Sequence, residues 1–335
     1  MLGRVFITQP IPEPGPSLIR SAVDEVTTNP ENRVLSSAEL RERVVGCDAV
    51  LCLLTDPIDA TVIEAAAASG CRVFSNMAVG YNNVDVPAAT RAGIVVTNTP
   101  GVLTEATADL TWALILAVAR RVVEGDAEMR TGQFPGWGPL YMLGGDVTGR
   151  TLGLIGPGRI ASAVAVRARG FSMPLLYFGR RESPALEALG ARQAPLKTLL
   201  EESDFVSLHV PLSPETRHLI DAAALATMKP TAYLINTSRG PVVDEAALVA
   251  ALRAGRIAGA GLDVYEDEPR MARGLADCHN AILLPHLGSA THATRAAMSR
   301  IAAENLLAVL QGRRPAHPVN PEVWRESSAV AAERP

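Results

Sequence analysis

The chain has 335 residues, 48% of them hydrophobic and 20% charged, enough for about two globular domains and too apolar for a disordered polymer. A net charge of −4 excludes a general attraction to nucleic acid or to an anionic membrane, so any bound anion must be held by local arginines. The four cysteines, Cys47, Cys52, Cys71 and Cys278, have neither CxxC nor metal-ligand spacing; they read as reduced, buried thiols, and no metal site is expected.

The opening MLGRVFITQP runs directly into a strand-like segment, Val5–Thr8, without a charged region and cleavage site ahead of it. Further strands are predicted at Ala49–Leu54, Arg72–Ser75, Ile94–Thr97, Leu152–Ile155, Pro174–Phe178, Phe205–Leu208, Ala232–Ile235, Ile257–Leu262 and Ala281–Leu284. Ala-rich amphipathic segments lie between them, among them Ala60–Ala68, Val84–Ala92, Ile160–Arg169 and Glu245–Ala254. This alternation predicts an α/β fold with parallel sheets covered by helices on both faces. Two longer helical stretches, Thr104 to about Arg130 and Ser289 to about Leu310, break the rhythm and read as crossovers between domains. The longest apolar run, Leu110 to Ala119, ends at Arg120-Arg121 and is too short to span a bilayer; a soluble, cytoplasmic protein with no membrane partner is expected.

After the strand Leu152–Ile155 comes Gly156-Pro157-Gly158-Arg159-Ile160-Ala161, a G-x-G-x-x-A turn opening a helix. The first glycine permits the tight turn, the second lets backbone approach a pyrophosphate, and Ala161 is small enough for close helix–strand packing. The helix start offers amides to phosphate, so Gly156, Gly158, Arg159 and Ile160 are cofactor-binding candidates. The next strand ends in Gly179-Arg180-Arg181, where a carboxylate would hold the adenosine ribose of NAD. Guanidinium groups there fit a 2′-phosphate, so NADP(H) is the expected cofactor. Glu182 could accept a ribose hydroxyl, and it keeps NAD(H) open. Beyond later strands stand Arg239, Asp263 and His286, where ligands of open parallel sheets gather.

Six phrases then carry a resemblance: MAVGYNNVDVPAATRAGIVVTNTPGVLTEATADL, TLGLIGPGRIA, DFVSLHVPLSPETRHLI, MKPTAYLINTSRGPVVDEAAL, GAGLDVYEDEP and LLPHLGSATHATR. Over about Ala49 to Asn320 the chain resembles the D-isomer-specific 2-hydroxyacid dehydrogenases, most of all the glyoxylate/hydroxypyruvate reductases. The resemblance implies two Rossmann-like or flavodoxin-like parallel-sheet domains with a cleft between them. Residues 1–101 and 288–322 would form a discontinuous substrate-binding domain, 102–287 the NADP-binding domain, and 323–335 a flexible tail.

The resemblance also implies roles. Arg239 would bind the substrate carboxylate and 2-oxo group, His286 would act as general acid, and Glu268 would pair with that histidine, because a neighbouring anion favours imidazolium. Val79 and Gly80 would hold the substrate carboxylate through backbone amides, with Ser289 beside the substrate. Thr104, Pro211, Thr237, Asp263 and Gly288 would line the cofactor. The substrate would be a small 2-oxo or 2-hydroxy acid. Trp137 and Tyr141, in QFPGWGPLYMLGG, would belong to an arm packing across a homodimer or to a local lid over its own domain, and a homodimer is expected. His209 reads as structural, His292 as at most a supporting residue, and His218, His279 and His317 have no evident partner. A NAD-linked relative of other specificity, such as for phosphoglycerate, and a nucleotide-sensing corepressor are the competing readings.

Overall fold

The structure, a computed structural model, describes residues 2–324. The chain divides into two compact units: the segment up to Leu103 joins the segment from Thr291 onward, and Thr104–Ala290 forms the other.

In the first unit β1 (Arg4–Ile7), α1 (Gly15–Arg20), β2 (Glu25–Thr28), α2 (Ser37–Arg43), β3 (Ala49–Cys52), α3 (Ala60–Ala68), β4 (Val73–Asn76), α4 (Val86–Arg91) and β5 (Val95–Thr97) alternate. The strands are parallel in the order β2-β1-β3-β4-β5, the flavodoxin-like arrangement. Every residue of β3 and β4 is buried, as central parallel strands require when helices cover both faces. The edge strand β2, EVTT, buries none of its residues, and sequence reading missed it for want of an apolar run. Side chains start three of the helices: Ser36 in a reciprocal capping box with Glu39, Asp59 on Thr61 and Val62, and Asp85 on Ala88. Each such cap contributes about 1 kcal/mol.

The second unit runs through α5 (Thr104–Ala119), α6 (Val122–Thr131), β6 (Leu152–Ile155), α7 (Arg159–Ala168), β7 (Leu175–Phe178), α8 (Pro184–Glu187) and β8 (Arg192–Gln193). It continues with α9 (Leu196–Glu202), β9 (Phe205–Leu208), α10 (Ala222–Thr227), β10 (Tyr233–Asn236), α11 (Glu245–Arg253), β11 (Gly259–Leu262) and β12 (Ala281–Leu283). The parallel sheet has the order β12-β11-β10-β9-β6-β7-β8. Counted from β6, its first six strands follow the Rossmann order 3-2-1-4-5-6, and the order reverses between β6 and β9. The single helix expected from Thr104 to Arg130 is two helices. Trp112, Leu114, Ile115 and Val118 bury α5 in the core, whereas α6 buries no residue. With nothing left to bury past Ala119, the chain turns at Arg121, whose φ is 54° and whose guanidinium pairs with Glu124 at 2.6 Å.

The chain then re-enters the first unit through α12 (His292–Leu310), started by the Thr291 hydroxyl on the Thr294 amide. Met298, Ala302 and Leu306 of α12 cover the sheet face presented by Val5, Ile7 and Leu51, and Phe6, Val50 and Phe74 meet Val62 and Ile63 of α3 on the other face. The boundary expected at residue 288 is early: Gly288 to Ala290 stay with the second unit, where the Asp263 carboxylate and the Thr107 hydroxyl bond Gly288. The tail expected over 323–335 lies, from residue 325 on, outside the described residues; Val323 is 1% exposed and anchored in the core. Among the described residues no helix is long and apolar enough to cross a membrane, and no group of three or more His, Cys, Asp or Glu could hold a metal ion. The four cysteines are buried and unpaired.

Candidate active site

Apart from Thr104, the first residue of α5, and Arg159 and Ile160, the first two of α7, every site residue expected in the second unit stands on a loop that follows the C-terminal end of a strand. Gly156 follows β6 with φ +97°, and a Cβ there would lie 2.7 Å from the His209 carbonyl oxygen and the Val210 side chain, beyond β9. The glycine turn therefore sits at the point where strand order reverses, the usual ligand-binding edge of such sheets. Gly158 is the N-cap of α7 without a side-chain cap, and a Cβ on it would meet only open space. The Arg159 and Ile160 amides at the start of the helix have no acceptor among the described residues. An open helix start beneath a residue with no side chain fits the pyrophosphate of a dinucleotide. Ala161 is fully buried, as its small size anticipated.

Beside this turn, a Cβ on Gly179 would come within 2.5 Å of the Pro157 ring, so the loop after β7 rests on the glycine turn. Gln193 Nε2 donates to the Gly179 carbonyl at 3.0 Å. The buried Tyr177 hydroxyl accepts the Ser183 amide at 3.0 Å and donates to Glu187 at 2.6 Å. Pinned at both ends, this loop presents Arg180, Arg181 and Glu182 to solvent, and neither arginine forms an ion pair among the described residues. Arg180 adds a smaller pull to the Ser213 hydroxyl bond that lowers the Glu215 carboxyl. His209 donates or accepts through Nε2 with Ser207 Oγ at 2.9 Å, and burial pushes its imidazole down to about 3, which leaves it neutral. Pro211 is exposed, and its carbonyl accepts the Thr216 hydroxyl.

The remaining residues gather after β10, β11 and β12. Asn236 organises the first of these loops: its amide donates to the Arg239 carbonyl at 3.0 Å and its oxygen accepts from the Ser238 amide and hydroxyl. Arg239 itself is half-buried, with Nη1 on the Ser238 carbonyl at 2.7 Å. Burial lowers its pKa, opposed by the charge of Glu268. A Cβ on Gly240 would fall 1.8 Å from the Tyr265 carbonyl, so this turn packs directly on the loop carrying Glu268.

His286 holds φ at 55°, a left-handed conformation uncommon for a residue with a side chain and characteristic of strained functional positions. Asp263 stabilises it. The Asp263 carbonyl accepts the His286 amide, and its carboxylate oxygens accept the Leu287 amide at 2.6 Å and the Gly288 amide at 2.8 Å. Burial raises the Asp263 pKa against these bonds and the pull of His286. His286 Nδ1 lies 2.9 Å from Glu268 Oε2, and Glu268 Oε1 accepts the Tyr265 amide at 3.0 Å. Burial would raise the Glu268 carboxyl, but the bond and charge of His286, the Tyr265 amide and Arg239 together hold it below its ordinary value. The two side chains keep 25% and 28% exposure, so the pair is reachable, and Nε2 is the ring nitrogen without a partner among the described residues.

Thus Arg239, Glu268, His286 and Asp263 converge, while Thr237 and Gly288 sit behind them on α5: Thr111 bonds the Thr237 hydroxyl at 3.0 Å and Thr107 the Gly288 carbonyl at 3.0 Å. Ser289 is buried next to Gly288. Sequence reading missed Thr107 and Thr111, although they lie one and two helical turns beyond Thr104 on one face. It also left His218 without a partner; the structure corrects this, with His218 Nε2 2.6 Å from Glu266. Val79 and Gly80 belong to the first unit. Asn98 and Asn76 hold their carbonyl groups at 2.8 and 3.0 Å, and neither amide of the pair donates a hydrogen bond among the described residues.

Residues 112–288 match the family described as "D-isomer specific 2-hydroxyacid dehydrogenase, NAD binding domain". The chain is 53% identical to a glyoxylate reductase of Korarchaeum cryptofilum, covering 96% of this chain and 97% of that one. It is 48% identical to a glyoxylate reductase of Thermococcus litoralis over 98% and 99% of the two chains. Among solved structures it is similar to a Thermus thermophilus protein (TM-score 0.87, 47% identity, 94% and 99% coverage). It is also similar to the NADPH-dependent glyoxylate/hydroxypyruvate reductase of Sinorhizobium meliloti, solved with NADP and malonate (TM-score 0.82, 34% identity, 95% and 97% coverage). With these likenesses spanning nearly the whole chain, and the glycine turn and the Arg239–Glu268–His286 cluster on one sheet edge, the protein belongs to the D-isomer-specific 2-hydroxyacid dehydrogenase family.

Proposed function

We propose that the protein reduces small 2-oxo acids, glyoxylate to glycolate and hydroxypyruvate to D-glycerate, with NADPH as preferred reductant. The reading is carried by one observation: an open phosphate-type turn and a cation beside a carboxylate-bound imidazole share one sheet edge. Relatives named glyoxylate reductase support the substrate class.

When bound, the dinucleotide supplies a hydride to the carbonyl carbon of the acid. The chain's own residues do the rest. The glycine turn and the first amides of α7 hold the pyrophosphate, and Arg180 and Arg181 recognise a 2′-phosphate through charge-assisted bonds. Arg239 binds the substrate's carboxylate and polarises the 2-oxo group with a guanidinium already oriented by its own loop. His286 gives the proton on Nε2 to the carbonyl oxygen as it gains charge. Glu268 orients the ring through Nδ1, and Asp263 fixes the turn beneath it. The Val79–Gly80 amides, without acceptors among the described residues, are proposed as further donors to a substrate carboxylate. Thr104, Pro211, Thr237, Gly288 and Ser289 are proposed to line the ligands.

We also propose a homodimer. Val122, Val123, Met129, Trp137 and Leu140 are exposed, the last two at 86% and 83%, on a helix and arm that bury almost nothing of their own. Apolar surface of that kind marks protein contacts. Tyr141 is held within the arm by Glu128 and Phe134. Unpaired buried thiols suit a reducing compartment, and the proposed location is the cytoplasm.

Side-by-side kcat/KM values for glyoxylate and hydroxypyruvate, each with NADPH and NADH, test the reading. Turnover of both acids with a clearly lower KM for NADPH is expected. Preference for NADH would overturn the cofactor assignment and favour the NAD-linked alternative. No turnover of either acid would overturn the enzyme reading and favour a nucleotide sensor.

A further inference from the structure

We propose that Glu245 is a positioning residue for the Glu268–His286 pair, acting through the backbone of the loop that carries Glu268. The proposal rests on the reading of that pair as the proton-delivering couple. Beyond the packing of Gly240 on Tyr265 and the Tyr265 amide on Glu268, the loop buries little: Asp267, Glu268, Pro269, Arg270 and Met271 are all exposed. A segment so poor in apolar anchors is not fixed by packing, yet proton delivery needs Glu268 within a few tenths of an ångström of its place.

Glu245 supplies the missing constraint. It is the first residue of α11 and only 4% exposed, an uncommon place for a carboxylate without fixed partners. Its Oε2 accepts the Glu266 amide at 2.7 Å and its Oε1 accepts the Ala272 amide at 2.7 Å. The two amides lie on either side of Glu268, so one side chain closes both ends of its loop. Both bonds are charge-assisted and part-buried, and removing an acceptor would leave a part-buried N–H unsatisfied.

Glu266 completes the clamp. Its Oε2 accepts the Glu245 amide at 3.4 Å, while Oε1 meets His218 Nε2 at 2.6 Å and Arg217 at 3.1 Å. The His218 amide in turn donates to the Pro241 carbonyl, in the turn that carries Arg239. The clamp therefore ties the loop of the carboxylate to the loop of the substrate-binding cation, and neither Glu245 nor Glu266 faces the reacting atoms in this account.

The test compares wild type, Glu245→Gln, Glu268→Gln and the double variant for kcat, KM, NADPH affinity by fluorescence, thermal midpoint and the pH profile of kcat. Glu245→Gln keeps the shape but turns an NH2 group toward one of the two amides. It is expected to lower kcat about 10- to 100-fold while NADPH affinity stays within about 2-fold. Its pH profile should move in the same direction as that of Glu268→Gln. In the Glu268→Gln background the second change should add less than about 2-fold, because both act through one group. Wild-type kcat in Glu245→Gln, or an equal loss in both backgrounds, overturns the proposal. Wild-type kcat in Glu268→Gln is a separate outcome, which refutes the couple and the positioning role with it. Should Glu245→Gln fail to fold, Glu245→Asp keeps both oxygens on a shorter arm; a shifted pH profile is expected, and an unchanged one overturns the proposal.

Discussion

Two turns on the same sheet edge carry arginine, and they are built in opposite ways. Arg239 is half-buried, its loop braced by Asn236 and by the contact of Gly240 with Tyr265. Arg180 and Arg181 are exposed, and only the ends of their loop are fixed, at Gly179 and Ser183. A cation that must act on a developing charge is oriented before substrate arrives, since reorganisation during the reaction would raise the barrier. A cation that only recognises a phosphate can remain hydrated until the ligand binds, at the cost of some affinity. Under the proposed function, the difference teaches that one residue type, at equivalent strand ends, would serve chemistry or recognition according to what braces it.

The largest expected effect sharpens the braced side. His286→Ala should lower kcat by about 10²- to 10⁴-fold with NADPH affinity little changed, read by steady-state kinetics and fluorescence titration. A wild-type kcat would remove the acid role. On the exposed side, Arg180→Ala combined with Arg181→Ala should raise the KM for NADPH about 10-fold or more while kcat and the KM for NADH hold. A matching rise with NADH would mean that the pair does not read the 2′-phosphate.

A smaller effect concerns acid. The folded-state pKa of Glu268 lies below its ordinary value of 4.5, so its contribution to stability is complete above that value and is lost as pH falls through the lowered one. The difference in thermal midpoint between wild type and Glu268→Gln should hold steady above about pH 5 and close below it. A gap that widened in acid would contradict the ionised pair. Smallest is Tyr177→Phe, which frees the Ser183 amide; it should raise the KM for NADPH about 2- to 3-fold and leave NADH alone, consistent with the loss of one hydrogen bond near 1 kcal/mol. Equal effects on both cofactors would assign Tyr177 to the fold only.

The legible parts of the fold were those written in apolar periodicity. Buried strands such as β3, β6 and β9, and the glycine turn between a strand and a helix, announce themselves. The edge strands β2 and β8 do not, because the first buries none of its four residues and the second is an exposed pair. The break at Arg121 was hidden because α6 shares helical composition with α5 while burying nothing. In the site, residues with charge or glycine in a distinctive phrase could be named. Residues acting through long-range hydrogen bonds could not: Glu245, Thr107 and the His218–Glu266 pair join segments far apart in sequence, and only folding brings their partners near. Trp112, likewise, donates to the Val164 carbonyl and stacks on Phe171, a bond invisible in the apolar run that contains it.

The central claim is that the braced arginine serves the reaction and the exposed pair serves cofactor choice. Its most direct test is kcat and KM for glyoxylate and NADPH in Arg239→Lys beside the combined Arg180→Ala, Arg181→Ala variant. The account predicts that Arg239→Lys loses kcat/KM for glyoxylate about 10²-fold, because an ammonium cannot reproduce the fork, and that it keeps the wild-type KM for NADPH. The paired variant should show the reverse, and a loss of kcat confined to Arg180 and Arg181 would contradict the account.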